Sequence, residues 1–220
     1  MAVTSVSKIE LAIGTTNYRT STENWVTRAH GLTWMTMMSD LREYVNSQGY
    51  SSKVRMYGAS DIELQWNTPE APRNWVDGYS SGPVNIFLLN YGNCNSCPRT
   101  DCPGCIPGGE GYIWNQEQVW YVSWGNFLSY PFPEIYRQDG QNANEWFTMS
   151  VYALTNHGSA MAFYGALTQW QACQGESQSA IKCRQDRLDN KPGKGWGQLL
   201  HYINIDPSTR EDVNRSSDIR

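Results

Sequence analysis

The segment from Lys53 to Trp66, KVRMYGASDIELQW, constrains the fold and the chemistry of this chain most strongly. It has the alternating pattern of a β-strand and ends in two acids, Asp61 and Glu63, which are separated by a single residue. Because successive side chains of an extended strand point to opposite faces, both carboxylates are expected on one face and Ile62 and Leu64 on the other. The segment therefore predicts a strand that presents a candidate acid/base pair.

A D-x-E pair can also be no more than the solvated face of a strand, and the segment alone leaves this alternative open. Gly58 and Ala59, just before the acids, carry little or no side chain, so another backbone or a ligand could approach the strand closely there. Trp66, just after them, could serve as a flat aromatic platform. The surroundings of the pair must decide between a functional site and a solvated surface.

Hydrophobic patterns along the rest of the chain predict strands that alternate with helices or loops. Further strands are expected at residues 9–13, 84–92, 119–125 and 161–170, and helices at about 25–45, at 75–79, at 142–154 and around 196–203. The run at 84–92 is almost continuously apolar, which suits a strand covered on both faces, as in a parallel sheet. The alternation predicts an α/β fold with a mainly parallel sheet.

Polar and aromatic residues collect where the predicted strands end. They are Asn17, Asp61, Glu63, Asn90, Tyr91, Ser123, Trp124, and Thr168 to Trp170 with Gln169 between them. In a β/α barrel the carboxyl ends of the strands form the active-site face, and catalytic residues come from several strands. The pattern predicts a single TIM-barrel-like domain over residues 1–205, followed by a polar tail at 206–220. About five strands are recognisable where a full barrel has eight, so an incomplete or irregular barrel is expected.

The size and charge of the chain limit its partners. With 220 residues, of which 40% are hydrophobic, it can form one domain with a substantial core. A net charge of -4 and the absence of a Lys/Arg cluster disfavour nucleic acid as a partner. The sequence has no run of about 18 apolar residues, so no membrane span is expected.

Six cysteines fall in two loop-like places. Cys94, Cys97, Cys102 and Cys105 lie in a loop insertion at about 93–112, and Cys173 and Cys183 form a second pair. Disulfides are favoured at both places, with three possible pairings in the first. A structural zinc site of four thiolates is the alternative, although the two C-x-x-C pairs of a zinc site are commonly about 15 to 20 residues apart. Disulfides indicate an oxidising compartment, so a mature extracellular or cell-surface protein without its signal peptide is expected.

Several enzyme classes lack their motifs in this sequence. The three histidines, His30, His157 and His201, are far apart and do not form an H-E-x-x-H motif, which disfavours a zinc protease. Neither a G-x-S-x-G motif nor a phosphate-binding loop is found, which disfavours serine hydrolases and nucleotide enzymes. The sequence implies no cofactor.

Segments spread over nearly the whole chain carry a resemblance to a known family. They are GTTNY, AHGLTWMTMM, GASDIELQW, NWVDGY, NYGNC, VWYVSWG, PEIY, GALTQWQAC and GWGQLLHYINIDP. The combination resembles a family of mostly uncharacterised bacterial secreted proteins, which itself looks like a distant relative of lysozyme-like and chitinase-like glycoside hydrolase barrels. The resemblance implies cleavage of a polysaccharide or cell-wall glycan, with Glu63 as the general acid and Asp61 as the supporting carboxylate.

Acid/base cleavage of a glycosidic bond needs one carboxyl group that stays protonated near neutral pH and another that is ionised. Repulsion by Asp61 and burial would raise the pKa of Glu63, which suits it to the role of acid. Glu134 is a candidate for a second essential acid, with a helix cap or surface ion pair as its alternative. Residues expected to contact the sugar are Trp66, Asn17, Asn90, Tyr91, Trp124, Glu134, Tyr136 and Gln169, although Tyr136 also suits the core.

Two other classes of function share these features. One is a non-catalytic glycan-binding module that keeps the barrel and its Trp-lined cleft. The other is a structural or interaction protein of the cell surface, whose aromatic residues would form subunit contacts. The carboxylates distinguish the classes, since only the hydrolase requires them for its activity.

Overall fold

A computed structural model describes residues 7–109, 111–137, 139–167 and 194–205, with side chains up to residue 203. Within these ranges the strands are β1 (Ile9–Thr16), β2 (Val54–Asp61), β3 (Leu88–Asn90) and β4 (Ser129–Pro131). The α-helices are α1 (Arg28–Ser47), α2 (Glu70–Ser80), α3 (Gln116–Trp120), α4 (Gln141–His157) and α5 (Lys194–Ile205), and a π-helix spans Tyr121–Gly125. The described residues therefore confirm the predicted α/β class.

The four strands form one parallel sheet in the order β1-β2-β3-β4. Thr16 pairs with Asp61, the last residues of β1 and β2, and Asn90 pairs with Pro131, the last residues of β3 and β4. The carboxyl ends of all four described strands consequently meet at one edge of the sheet. A full eight-stranded barrel is not present in the part of the chain that the structure describes.

Helices α1 and α2 pack against each other through an unusually close contact. A Cβ atom on Gly31 of α1 would lie 1.9 Å from the carbonyl oxygen of Trp75, and one on Gly78 of α2 would lie 2.0 Å from that of Arg28. Only glycine permits such an approach of two backbones. Met35 and Met38 of α1 are fully buried, so this face of the helix belongs to the core.

Helix α2 also explains the small residue at Gly58 in β2. A Cβ atom there would lie 2.2 Å from the hydroxyl oxygen of Tyr79, so the aromatic ring takes the space that a side chain would need. The close approach expected at Gly58 is therefore made by a core tyrosine. This contact sets the position of α2 along β2.

The predicted strand at 119–125 is wrong. Asn115 and Gln118 form a capping box, in which each side chain accepts a hydrogen bond from the other residue's backbone N–H, and this starts α3. The helix continues directly into the π-helix. The β-branched and aromatic residues of this segment favoured a strand. In the structure they lie on helical turns, and Val119 and Val122 are buried in the core.

The predicted strand at 161–170 is also wrong over the part that the structure describes. Residues 161–166 have no regular secondary structure, and a parallel bridge joins Leu167 to Glu134. The segment nevertheless runs beside β4 and its extension, because Tyr164 N–H donates to Pro131 O and Leu167 N–H to Pro133 O. Residues 168–170 lie outside the described residues.

The last two helices follow their predicted hydrophobic spacing. Helix α4 buries Ala143, Trp146 and Met149, and α5 buries Leu199 and Ile203. The ring of Tyr202 stacks on that of Phe147 and joins the two helices. Among the described helices, none is long and apolar enough to cross a membrane.

Candidate active site

The candidate site lies at the edge of the sheet where the four described strands end. Asn17 follows β1, Asp61 ends β2, Asn90 ends β3, and Glu134 lies three residues after β4. The sheet is parallel, so each strand delivers its terminal residues to this same edge. The predicted clustering of site residues at strand ends is thus found for β1, β2 and β3, whereas β4, which precedes Glu134, was not predicted.

Three carboxylates meet at this edge. One oxygen atom each of Asp61, Glu63 and Glu134 lies within 4.8 Å of the other two. Ile62 and Leu64, the neighbours of Glu63, are buried in the core, as the alternation of the segment predicts. The D-x-E pair therefore belongs to a cluster of acids and is not a solvated strand face.

Burial changes the chemistry of Glu63. Only 4% of this residue is exposed. Burial, together with the neighbouring charge of Asp61, raises the pKa of Glu63 to about 7, although hydrogen bonds from Asn93 and Gln65 oppose the rise. A carboxyl group with this pKa carries its proton over much of the neutral range and can donate it.

Asp61 is less buried than Glu63, and its pKa is shifted in the same direction. Burial raises the pKa of Asp61, and a hydrogen bond with Glu63 opposes the rise. Its Oδ1 atom is buried and has no hydrogen-bond partner among the described residues. The two acids thus form a coupled pair in which the charge of one raises the pKa of the other.

Hydrogen bonds from neighbouring side chains and from the backbone fix both the carboxylate and the backbone of Glu63. Asn17 Nδ2 donates to Glu63 O at 2.9 Å. Gln65 Nε2 donates to Glu63 Oε2 at 2.9 Å, and Asn93 N–H donates to Oε1 at 3.1 Å. Asn93 Nδ2 donates a further short hydrogen bond to Oε2. The acid is therefore preorganised by residues that follow the ends of β1, β2 and β3.

Glu134 reaches the cluster from the chain that follows β4. Its backbone forms the parallel bridge with Leu167, and its N–H faces Gly92 O at 3.5 Å. Gly92 in turn allows the chain after β3 to pass beside the end of β2, because a Cβ atom there would lie 1.9 Å from Ile62 O. This crossing brings the ends of β2, β3 and β4 together.

An aromatic pair lies next to the acids. Trp66 closes the turn that begins at Glu63, since its N–H donates to Glu63 O at 3.1 Å. The ring of Tyr18 meets that of Trp66 edge to face, with 5.7 Å between centroids, and Tyr18 is 59% exposed. The structure therefore brings Trp66 to the rim of the site, with Tyr18 as an additional aromatic.

Two other residues predicted to contact the sugar, Asn90 and Trp124, make contacts within the protein. Asn90 is buried and donates to Ser123 Oγ at 2.9 Å, while its own Oδ1 accepts from Gly92 N–H. Trp124 lies on the π-helix and packs against Tyr130 of β4, at 5.3 Å between ring centroids. The expectation that Ser123 and Trp124 end a strand is wrong, because their segment is helical.

The remaining residues predicted to contact the sugar are Tyr91, Tyr136 and Gln169. Tyr91 packs edge to face on Phe132, and burial raises its pKa to about 12. Tyr136 is partly buried, and its backbone N–H donates to Asn142 Oδ1. Gln169 lies outside the described residues, as do Cys173 and Cys183 with their predicted disulfide.

The first cysteine group forms two disulfides. Cys94 pairs with Cys97 and Cys102 pairs with Cys105, which is one of the three pairings that the sequence leaves open. The four sulfur atoms are thereby joined in pairs, so the alternative of a four-thiolate zinc site is not supported. The first disulfide begins one residue after Asn93 and so belongs to the surroundings of the acids.

The donor set could also hold a divalent cation. Carboxylate oxygens are the ligands that Mg²⁺ and Ca²⁺ prefer, and Asp61, Glu63 and Glu134 each contribute one at short range. Such a cation would require Glu63 in its deprotonated form, and its positive charge would favour that form. The same three acids therefore offer ligands for a cation and groups for proton transfer.

No family model matches this chain, and neither a curated protein nor a solved structure matches it. The functional conclusion therefore rests on the geometry of the site.

Three contributors to the site escaped the sequence analysis. Asn93 and Gln65 bind the Glu63 carboxylate, and Tyr18 contacts Trp66. Gln65 lies only two residues after Glu63, and this proximity in sequence could have pointed to it, although the contact is made within the turn that begins at Glu63. Asn93 could not, because 30 residues separate it from Glu63.

Proposed function

We propose that this chain is a glycoside hydrolase that cleaves a polysaccharide or cell-wall glycan by carboxylate acid/base catalysis. The observation that supports it best is the group of three acids at the carboxyl ends of parallel strands, with the buried Glu63 at its centre. The raised pKa of Glu63 suits a general acid at neutral pH.

Each acid has a role in this mechanism. Glu63 gives its proton to the glycosidic oxygen as the bond from that oxygen to the anomeric carbon breaks. Glu134, as the nucleophile, forms a bond to the anomeric carbon, and the leaving sugar departs with the proton. Water then attacks the same carbon, returns a proton to Glu63 and releases Glu134. Asp61 raises the pKa of Glu63 and stabilises positive charge on the sugar ring.

The spacing of the acids favours this double displacement. Carboxylates of retaining glycosidases are about 5 to 5.5 Å apart, whereas inverting enzymes need roughly 6.5 to 9.5 Å to accommodate a water molecule. The oxygen atoms of Glu63 and Glu134 approach within 4.8 Å, which is closer to the shorter spacing. A retaining mechanism is therefore part of the proposal.

The strand order supports a barrel-like scaffold for this activity. Neighbouring strands of the sheet are consecutive in sequence, as in a β/α barrel, and the Glu134–Leu167 bridge extends the pairing beyond β4. Barrel enzymes place their active sites at the carboxyl ends of the strands. The disulfides fit the proposed extracellular or cell-surface location.

The test is release of reducing ends from peptidoglycan, chitin and a panel of plant and microbial polysaccharides. Glu63→Gln, Asp61→Asn and Glu134→Gln are compared with Glu43→Gln, a matched change at an exposed glutamate of α1. Loss of release in Glu63→Gln and Glu134→Gln, with the control unchanged and all variants folded, supports the hydrolase. Release that survives both substitutions contradicts it.

A non-catalytic glycan-binding module is the second candidate. The exposed Tyr18 and the neighbouring Trp66 favour it, because exposed aromatic rings of this kind suit contact with the apolar faces of sugars. Binding without release from any substrate, unchanged in Glu63→Gln and reduced in Trp66→Ala, would support this candidate over the hydrolase.

A further inference from the structure

We propose that Asn93 is the positioning residue of the site and that the first C-x-x-C turn serves to hold it against Glu63. The catalytic part of this proposal rests on Glu63 being the acid of the proposed hydrolase. The hydrogen bonds that carry it do not depend on that function. The turn thereby becomes part of the active site, beyond its effect on stability.

Asn93 contacts both oxygen atoms of the Glu63 carboxylate. Its backbone N–H donates to Oε1 at 3.1 Å, and its side-chain Nδ2 donates to Oε2. Gln65 Nε2 also donates to Oε2, at 2.9 Å. One residue therefore binds the carboxylate at both ends, which fixes the plane of the group as well as its position.

The orientation of the Asn93 side chain is set by its own turn. Asn95 N–H donates to Asn93 Oδ1 at 3.0 Å, so the oxygen end of the amide is occupied and the NH₂ end faces Glu63. The next turn closes when Cys97 N–H donates to Cys94 O at 2.9 Å, and the Cys94–Cys97 disulfide covers the same four residues. Rotation of the amide away from Glu63 would break the hydrogen bond from Asn95 N–H, and Asn95 itself lies within the turn that the disulfide closes.

The disulfide is placed to hold this turn permanently. Cys94 and Cys97 are both 0% exposed, so a reductant in solution does not reach the bond while the protein is folded. Gly92, on the other side of Asn93, presses the chain against Ile62 O, where a Cβ atom would lie 1.9 Å away. Asn93 is consequently held from both sides, by a glycine contact before it and a disulfide after it.

These contacts influence where the proton of the acid resides. A carboxylate offers about four lone-pair positions, two on each oxygen. Oε2 accepts from the side chains of Asn93 and Gln65, whereas Oε1 accepts from the Asn93 backbone N–H. Two N–H donors thus occupy Oε2 and disfavour a proton on that oxygen, and Asn93 supplies one of the two.

The test measures the protonation midpoint of Glu63 by ¹³C NMR of carboxyl-labelled glutamate, with its signal assigned from its absence in Glu63→Gln. Asn93→Ala removes a donor that stabilises the ionised form, so the midpoint is expected to rise by about one pH unit. Asn95→Ala is the matched control, because it removes a side-chain amide from the same turn and keeps the backbone donor to Asn93. An unchanged midpoint in Asn93→Ala overturns the proposal.

A pair of disulfide variants tests the role of the turn. Cys94→Ser/Cys97→Ser is expected to raise the midpoint of Glu63 in the same direction as Asn93→Ala, whereas Cys102→Ser/Cys105→Ser leaves it at the wild-type value. Equal midpoints in the two double variants overturn the role assigned to the turn. If the first double variant does not fold, Asn95→Pro, which keeps all cysteines and removes the N–H that holds Asn93 Oδ1, decides by the same midpoint, and an unchanged midpoint overturns the role of the turn.

The NMR midpoint of Glu63 can be measured whether or not the protein cleaves a glycan, so it tests the positioning role separately from the proposed hydrolase. In an active hydrolase the alkaline limb of the kcat/KM profile of Asn93→Ala should move upward with the NMR midpoint, since the acid must be protonated. A shifted midpoint in a protein that cleaves no glycan would leave the positioning role intact and contradict only the hydrolase. A profile that falls in height without moving would contradict the positioning role.

Discussion

The side-chain amide of Asn17 makes two reciprocal hydrogen bonds with the backbone of Glu63, 46 residues further along the chain. Asn17 Nδ2 donates to Glu63 O, and Glu63 N–H donates to Asn17 Oδ1, each at 2.9 Å. Asn17 is 1% exposed, so no solvent competes for these bonds. The end of β1 thereby holds the acid at the end of β2.

Asn17→Ala should therefore destabilise the protein and disorder the site. The buried Glu63 N–H loses its acceptor, which costs about 1 to 3 kcal/mol, whereas Glu63 O keeps the hydrogen bond from Trp66 N–H. Urea denaturation should show a loss of about 1 to 3 kcal/mol in the free energy of unfolding. Asn46→Ala, on the exposed surface of α1, is the control. A loss no larger than that of the control would contradict the structural role of Asn17.

Stability should fall as the pH rises towards neutrality. The pKa of Glu63 is raised from 4.5 to about 7 in the folded protein, so the folded state binds more protons than the unfolded state between these values. This contribution is fully present below about pH 4.5 and is lost as the pH passes through about 7, and it is on the order of 3 kcal/mol. Asp61, whose pKa is also raised, acts in the same direction.

Urea denaturation at a series of pH values measures this effect. In Glu63→Gln the fall in stability between about pH 5 and 7 should be largely removed, because the amide does not titrate. Glu43→Gln should keep the wild-type pH dependence. A wild-type slope in Glu63→Gln would show that another group is responsible.

The proposed hydrolase should retain the configuration at the anomeric carbon. The oxygen atoms of Glu63 and Glu134 lie within 4.8 Å of each other, which is closer to the carboxylate spacing of retaining glycosidases than to that of inverting ones. ¹H NMR of the first product, recorded before mutarotation, distinguishes the two outcomes. An inverted product would remove Glu134 from the role of nucleophile.

The aromatic rim should contribute to glycan affinity. Trp66→Ala and Tyr18→Ala each remove a ring that is placed beside the acids, and each should weaken glycan binding by about tenfold, which corresponds to about 1.4 kcal/mol. Calorimetry with a soluble oligosaccharide measures the change. Tyr44→Ala, an exposed tyrosine on α1, is the matched control, and equal affinities in all three variants would exclude the rim as a binding surface.

Local patterns predicted much of the fold. The spacing of apolar residues located α1, α4 and α5, and the alternation after Lys53 located β2 with its two acids. The segment at 119–125 shows the limit of such patterns. Its valines and aromatic rings suit a strand and a buried helix equally, and the choice was made by the hydrogen bonds of the Asn115–Gln118 capping box.

The sequence by itself determined that Asp61 ends a strand, because the alternation of side chains is a local property of the chain; the strand stops there and not at Trp66 as predicted, so Glu63 follows it. It also singled out Glu134 as a further acid. Only the tertiary structure decided that Glu134 meets the pair and that Asn17 and Asn93 hold Glu63. These contacts join residues 30 or more positions apart, and their geometry arises from the packing of strand ends, which no local pattern contains.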